Sequence, residues 1–387
     1  YVGNFTNLAF AFWGMGLFLA SSLFFILEIP SIPRSVFKEI KIFTSPPKTF
    51  LFSLLIVGLM VSSVAGIYFE INRYIAEIYF SKAVAASANS NNAEAINNVS
   101  QAIEFWPYDE RLFQSLSQAT FFELNNLLSR KDISPDELRG RFQNITSSAI
   151  NAAKKADELN SQNPFNAMLL GSIYENLIPY VADAANFALS SYGAAIALDP
   201  KNPADRLALA RVYIAKADLD KAVSNLEEAI SLKNDYAPAR FLLVQIFDRQ
   251  GKLPEAVKRA EELVILNNTD VGALFQLGFL YYKNSQFNQS RQVFERTIEL
   301  SPNYSNARYF LGLIYDRENL KDKTSAILQF EKIAELNPDN SEIKLILKNL
   351  TAGKPALFGI VPPAPAPQSR AEVPVAEGKA PVQNLKK

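Results

Sequence analysis

The sequence predicts an all-α protein in which two N-terminal transmembrane helices precede a solenoid of helical repeats. Two uncharged apolar runs lie near the N-terminus, and a 34-residue period occupies the second half of the chain. An apolar run of about 20 residues is the length that a helix needs to cross the hydrocarbon core of a bilayer. A fixed period of this size is typical of solenoids, in which each unit buries its apolar face against the next.

The composition excludes several classes of function. The 387 residues include 39 Lys plus Arg and 39 Asp plus Glu, a balance that argues against a nucleic-acid-binding protein. The chain has no Cys and no His, which excludes disulfides, thiolate or imidazole metal ligands, and an imidazole base. It begins with Tyr1 rather than Met, which indicates either processing or the C-terminal part of a longer chain.

The first predicted span is Leu8–Leu27, within residues 1–29. A cleaved signal peptide is the alternative, but no basic residue precedes this run and its apolar core is too long. The second predicted span is Thr49–Phe69, within residues 49–71. It contains no charged residue over a full bilayer's length, so a buried core helix is the weaker interpretation.

The loop between the spans, residues 30–48, predicts the orientation. It carries four basic residues, Arg34, Lys38, Lys41 and Lys48, while two acidic residues, Glu28 and Glu39, lie at or near it. Short basic loops remain in the cytoplasm. We therefore expect a multi-pass protein of the cell membrane whose remaining chain is extracytoplasmic.

Three segments of the second half align without gaps: residues 217–232, 251–266 and 285–300. Ala222, Ala256 and Ser290 occupy equivalent places in them. The preceding segments align in the same register, with Leu209–Ala210–Tyr213, Leu243–Val244–Phe247 and Leu277–Gly278–Tyr281. A fourth copy contains Leu311–Gly312–Tyr315, Ala326, Phe330 and Pro338, with two additional residues near Lys321.

This pattern resembles the tetratricopeptide repeat, a helix–turn–helix unit of about 34 residues with Leu-Gly and Tyr on its first helix, Ala and an aromatic on its second, and Pro at its exit. Weaker copies extend upstream, so that residues 72–340 form about seven repeats. The first helix of the first repeat is then the continuation of the second span. Residues 341–352 form an amphipathic capping helix, and the Pro/Ala-rich residues 353–387 are expected to be disordered.

The resemblance also implies a binding groove lined by the first helices of the repeats. Transferred to this chain, the groove positions are Leu207, Arg211, Phe241, Gln245, Asp248, Arg249, Phe275, Phe279, Tyr282, Lys283, Tyr309, Asp316 and Arg317. Aromatic and Arg side chains at these positions suit an extended peptide or a glycan. The alternative is that some of the aromatics only pack between repeats.

No catalytic, cofactor or metal site is predicted. The acidic pairs Glu227–Glu228 and Glu261–Glu262 lie on second helices, where neighbouring side chains diverge by about 100°, so a solvated helix face is expected. Phosphate-binding Gly-rich loops and nucleophile elbows are also missing from the sequence.

Two functions remain open. The first is a membrane-anchored scaffold that binds a protein or peptide partner, or a glycan, in its groove. The second is the C-terminal portion of a multi-span enzyme, because the arrangement of spans, basic loop, repeats and Pro/Ala tail also resembles bacterial O-antigen ligases and related polymerases. In that case the catalytic part lies upstream of this chain.

Overall fold

The computed structural model describes residues 46–130, 132–317 and 321–360. These residues contain fifteen α-helices and no strand, which confirms the all-α prediction. The helices are α1 (Pro46–Ala88), α2 (Asn92–Phe105), α3 (Glu110–Ser129), α4 (Pro135–Leu159), α5 (Pro164–Leu177), α6 (Ala184–Leu198), α7 (Pro203–Ala215), α8 (Leu219–Leu232), α9 (Ala237–Arg249), α10 (Leu253–Leu266), α11 (Val271–Lys283), α12 (Phe287–Leu300), α13 (Ser305–Tyr315), α14 (Lys323–Leu336) and α15 (Ser341–Thr351). The chain divides into two compact units, one ending at Leu169 and the other beginning at Leu170.

Helix α1 is a single helix of 43 residues that contains the second predicted span. Among the described residues it is the one helix long and apolar enough to cross a membrane, and its apolar side chains from Phe50 to Phe69 are largely exposed. Burial begins beyond Glu70, with Ala76 and Ala83 in a core. The helix therefore passes without a break from the apolar run into the first repeat. The other predicted span, Leu8–Leu27, lies outside the described residues.

In the first unit, α1 packs against α2 through small side chains. Ala76 and Ala83 contact a cluster that contains Val99, Ala102 and Leu112. Small residues at a crossing allow two helix backbones to approach closely. Helix α4 begins with a capped first turn, because the backbone N–H of Glu137 donates to the Ser134 hydroxyl and Pro135 is the first helical residue.

In the second unit, consecutive helix pairs are held by a small residue on one helix and a large one on its partner. A Cβ atom added to Gly278 would lie 2.7 Å from the Phe294 ring, and one added to Gly312 would lie 2.6 Å from Phe330. Gly171 and Tyr192 make the same contact between α5 and α6. The repeat positions identified in the sequence are therefore the crossing points of the helices.

The C-terminal end corrects one boundary. Ile343, Ile346 and Leu350 of α15 are buried, so this helix covers the end of the stack. The disorder expected from residue 353 onward is wrong for residues 354–360, which we call the C-terminal segment. The Asn349 side-chain amide donates to the carbonyls of Ala356 and Phe358 at 3.1 and 2.7 Å, and Ala356 is buried. Residues 361–387 lie outside the described part of the chain.

Candidate functional site

The candidate site is the surface formed by α7, α9, α11 and α13, the first helices of four consecutive pairs, which we call the A-face. Residues 34 positions apart occupy equivalent places on these helices, so the predicted groove residues form rows. The rows are Leu207, Phe241, Phe275 and Tyr309; Arg211, Gln245 and Phe279; Asp248, Tyr282 and Asp316; and Arg249, Lys283 and Arg317.

The most accessible part of the A-face is a stripe along α9. Phe241 is 37% exposed, Gln245 is half-buried and Arg249 is exposed. These side chains are spaced four residues apart and so lie on one side of the helix. Arg249 forms no ion pair with any other described residue, which leaves its guanidinium free to bind an anion.

The aromatic residues of α11 and α13 mostly pack against each other. Phe275 and Phe279 are half-buried, and the ring centroids of Phe279 and Phe310 are 5.0 Å apart. Tyr282 is buried, with its ring 5.2 Å from that of Phe310, and desolvation raises the pKa of its hydroxyl. The aromatics that the groove hypothesis assigns to a ligand therefore largely fill the space between two repeats.

Tyr309 was predicted to line the groove, and its position in the structure contradicts this prediction. It is fully buried, and its hydroxyl donates to Glu342 Oε1 at 2.8 Å, so it connects α13 to the capping helix α15. A side chain in that position cannot reach a ligand. Its repeat position was right, but the neighbouring helix that covers it was not visible in the pattern.

Several charged groove residues form ion pairs between consecutive repeats. Lys283 on α11 pairs with Asp248 on α9. Arg211 on α7 contacts both carboxylate oxygens of Glu175 on α5, at 2.6 and 3.1 Å. Glu175 also accepts a hydrogen bond from the Tyr192 hydroxyl, and burial together with this carboxylate raises the pKa of Tyr192.

Sequence reasoning missed Glu175, although a signal exists. It follows Leu170 by five residues, as Asp248 follows Leu243 and Asp316 follows Leu311. An acidic residue at one repeat position in three copies indicates a structural pairing role.

At the last repeat, the C-terminal segment packs on the A-face. The backbone N–H of Ala356 donates to Asp316 Oδ2 at 2.6 Å, and the C-terminal segment places Leu357 and Ile360 against the same core as Tyr309. The Arg317 guanidinium lies 3.5 Å from the centroid of the Phe287 ring. Asp316 and Arg317 are thus engaged within the fold, as Arg211 is through Glu175, whereas the exposed Phe241 and Arg249 lie on α9.

The acidic residues expected to form a solvated face are half-buried or exposed, and they also link helices. Glu227 pairs with Arg259, Glu228 with Arg206, and Glu262 with Arg240. Glu261 accepts a hydrogen bond from the Tyr281 hydroxyl at 2.5 Å. Within the described residues, no group of three or more acidic side chains is close enough to hold a metal ion.

Comparison with known proteins identifies the repeats. Residues 207–270 and 275–341 match the tetratricopeptide repeat family, which covers α7 to α10 and then α11 to α14. No curated protein matches the sequence. The matched region is therefore a tetratricopeptide repeat scaffold, a class of fold that supports protein–protein interaction.

Solved repeat proteins resemble the chain over part of its length. YrrB, described as a TPR protein with an unusual peptide-binding site, is 20% identical over 52% of this chain and 99% of its own, with a TM-score of 0.42. A tetratricopeptide repeat protein from Parabacteroides merdae is 16% identical over 72% of this chain and 99% of its own, with a TM-score of 0.45. The C-terminal part of a repeat protein from Cytophaga hutchinsonii is 16% identical over 60% of this chain and 84% of its own, with a TM-score of 0.47.

Proposed function

We propose that the chain is a membrane-anchored repeat scaffold that binds an extended segment of a partner protein along α9. The observation that carries this proposal is the stripe of Phe241, Gln245 and Arg249, which combines an exposed ring, an amide and an unpaired cation. The half-buried edges of Phe275 and Phe279 on α11 continue its apolar part.

The stripe defines the chemistry of the segment. Phe241 and Arg249 are separated by eight helical residues, or about 12 Å at 1.5 Å per residue. An extended chain advances about 3.3 Å per residue, so this distance corresponds to about four residues of ligand. We therefore propose a segment in which an apolar side chain contacts Phe241 and a carboxylate about four residues away pairs with Arg249.

The apolar part of α1 supplies the proposed anchor. Its uncharged residues from Phe50 to Phe69 span about 30 Å as a helix, the thickness of the hydrocarbon core. The proposed orientation follows from the basic loop before it and places the repeats outside the cytoplasm. Protease added to intact spheroplasts should then degrade the repeats, and full protection would overturn this orientation.

A displayed library of random peptides tests the binding proposal. Peptides selected on the full-length chain in detergent should share an apolar and an acidic residue about four positions apart. Phe241→Ala should weaken them at least tenfold, and Arg249→Glu should do so in a salt-dependent manner, because the lost contact is ionic.

The matched control is Lys258→Glu, which reverses an exposed charge on the second helix α10. It should leave peptide affinity unchanged. Peptides that bind Phe241→Ala and Arg249→Glu as tightly as the parent chain would show that α9 is not the binding surface.

Glycan binding and the ligase-like alternative receive less support. Stacking on a sugar needs free aromatic faces, whereas the Phe275 and Phe279 rings pack on each other and on the core. The hypothesis that this chain is the end of a larger glycan-assembling enzyme stays a prediction.

A further inference from the structure

A group of aromatic side chains surrounds the place where the apolar part of α1 ends. Phe69 is the last residue of the apolar run, and the next residue, Glu70, is the first charged residue after it. The Phe69 ring makes an edge contact with Trp106, with 6.3 Å between the ring centroids. Trp106 in turn lies 5.3 Å from the ring of Tyr108. Tyr68, Tyr74 and Tyr108 are each more than 60% exposed.

The contact between Phe69 and Trp106 fixes the height of a distant turn. Trp106 and Tyr108 belong to the turn between α2 and α3, far from Phe69 in sequence. Because Trp106 touches Phe69, this turn lies level with the end of the apolar run. In a membrane-inserted α1 that level is the boundary between hydrocarbon and headgroups, where Trp and Tyr are enriched in membrane proteins.

A cleft of about 420 Å³ opens at the same place, lined by Arg73, Trp106, Tyr108 and Asp109 among others. Arg73 follows Phe69 by four residues, so the two lie on the same side of α1. Asp109 is engaged by Arg111, and Glu110, also in the cleft, accepts hydrogen bonds from Asn163 and Asn166. Arg73 is exposed and forms no ion pair within the described part of the chain, so its guanidinium can meet an anion from outside.

We propose that the turn between α2 and α3 rests on the bilayer surface, with Trp106 and Tyr108 among the phospholipid headgroups and Arg73 beside a lipid phosphate. This inference rests on the proposed span in α1 and adds a second contact with the lipid. A ring with an apolar body and a polar edge suits that layer, and a basic side chain there is attracted to phosphate. The first repeat is thereby held against the membrane by its own surface as well as by the helix.

The two Trp residues of the chain make this measurable. In the variant Trp13→Phe, the fluorescence of the full-length chain comes from Trp106 alone. Reconstituted into vesicles, Trp106 should be quenched more strongly by lipids brominated near the start of the acyl chain than by lipids brominated near its end. Absence of quenching at every bromine depth would overturn the proposal.

A second variant separates this proposal from the proposed span. Leu59 lies midway along the apolar run and is 60% exposed. In the variant Trp13→Phe, Trp106→Phe, Leu59→Trp, the new ring should be quenched best by bromine near the end of the acyl chain. If this variant is quenched and Trp106 is not, the span stands and the surface contact fails; if neither is quenched, the anchor itself fails.

The role of Arg73 has its own control. In the Trp13→Phe background with anionic phospholipid, Arg73→Glu should reduce the shallow quenching of Trp106 by about twofold, because a carboxylate is repelled from phosphate. Arg139→Glu, which reverses an exposed charge at the start of α4, should leave it unchanged. Equal quenching in both variants would remove Arg73 from the lipid contact.

Discussion

The consecutive helix pairs α9/α10 and α11/α12 differ in which helix carries the larger side chain at the crossing. It is the first helix in α9/α10 and the second helix in α11/α12. In α9/α10 the larger residue, Val244, lies on the first helix and belongs to the same buried cluster as Ala260 on the second. In α11/α12 the first helix has Gly278 and the second has Phe294, at the same two repeat positions. The repeat therefore preserves the space filled at the crossing and leaves the choice of helix free.

Further differences between the two pairs accompany this exchange. The Ser290 hydroxyl on α12 donates to the Gly278 carbonyl at 2.7 Å, where α10 has Ala256. The left-handed turn residue is Gly251 in the first pair, with φ of 72°, and Ser285 in the second, with φ of 60°. Phe247 on α9 corresponds to Tyr281 on α11, whose hydroxyl donates to Glu261.

The largest expected effect on stability comes from removing the large side chain at the α11/α12 crossing. Phe294→Ala should lower the free energy of unfolding by about 3–5 kcal/mol, because Phe294 is fully buried and the facing Gly278 has no side chain to fill the cavity. Urea denaturation followed by far-UV circular dichroism measures the change. Leu328→Ala, which truncates a half-exposed side chain on α14, is the control and should change stability by less than about 0.5 kcal/mol.

A smaller effect on stability comes from moving the larger side chain of the α9/α10 crossing from α9 to α10. Ala260→Phe should destabilise the chain by about 1–3 kcal/mol, because Ala260 is buried in the cluster that contains Val244 and leaves no room for a ring. Adding Val244→Gly should recover part of the loss and reproduce the α11/α12 arrangement, reduced by the helix-propensity cost of Gly. If the double variant is less stable than Ala260→Phe alone, the two pairs are not interchangeable at this crossing.

Tyr281→Phe makes α11 resemble α9 and should cost about 1 kcal/mol near neutral pH, the usual contribution of a hydrogen bond. Burial and the Glu261 carboxylate raise the pKa of Tyr281 in the folded chain. The resulting stabilisation is present below the unfolded pKa of about 10 and is lost as pH rises above it. The parent chain should therefore lose stability more steeply than Tyr281→Phe above pH ~10, and parallel curves would contradict the coupling.

The smallest effect concerns the turn. Ser285→Gly should stabilise the chain by about 0.5–1 kcal/mol, because a left-handed backbone strains a residue with a Cβ atom. Gly251→Ser should have the opposite sign and a similar size. Thermal unfolding of the two variants side by side measures both shifts, and shifts of the same sign would reject the explanation.

The sequence predicts the helix pairs well, because the 34-residue period identifies Gly278, Gly312 and Phe330 as repeat positions, and these lie where the helices cross. It predicts the binding face less well. A repeat position specifies the side on which a residue lies, whereas Tyr282 and Tyr309 are covered by neighbours from another helix. The ordered structure of residues 354–360 could not be predicted from their composition. It depends on individual hydrogen bonds, donated by the Asn349 amide and accepted by the Asp316 carboxylate.

The unbroken course of α1 has a geometrical consequence for the chain. Each residue added between Phe69 and Ala76 would rotate the rest of α1, with the first repeat, by about 100° around the helix axis and move it by about 1.5 Å. An insertion of one residue would thus turn Ala76 and Ala83 away from the direction that they now face, while an insertion of seven would restore that direction to within about 20°. The number of residues in this short stretch therefore determines the direction in which the first repeat faces around the axis of α1.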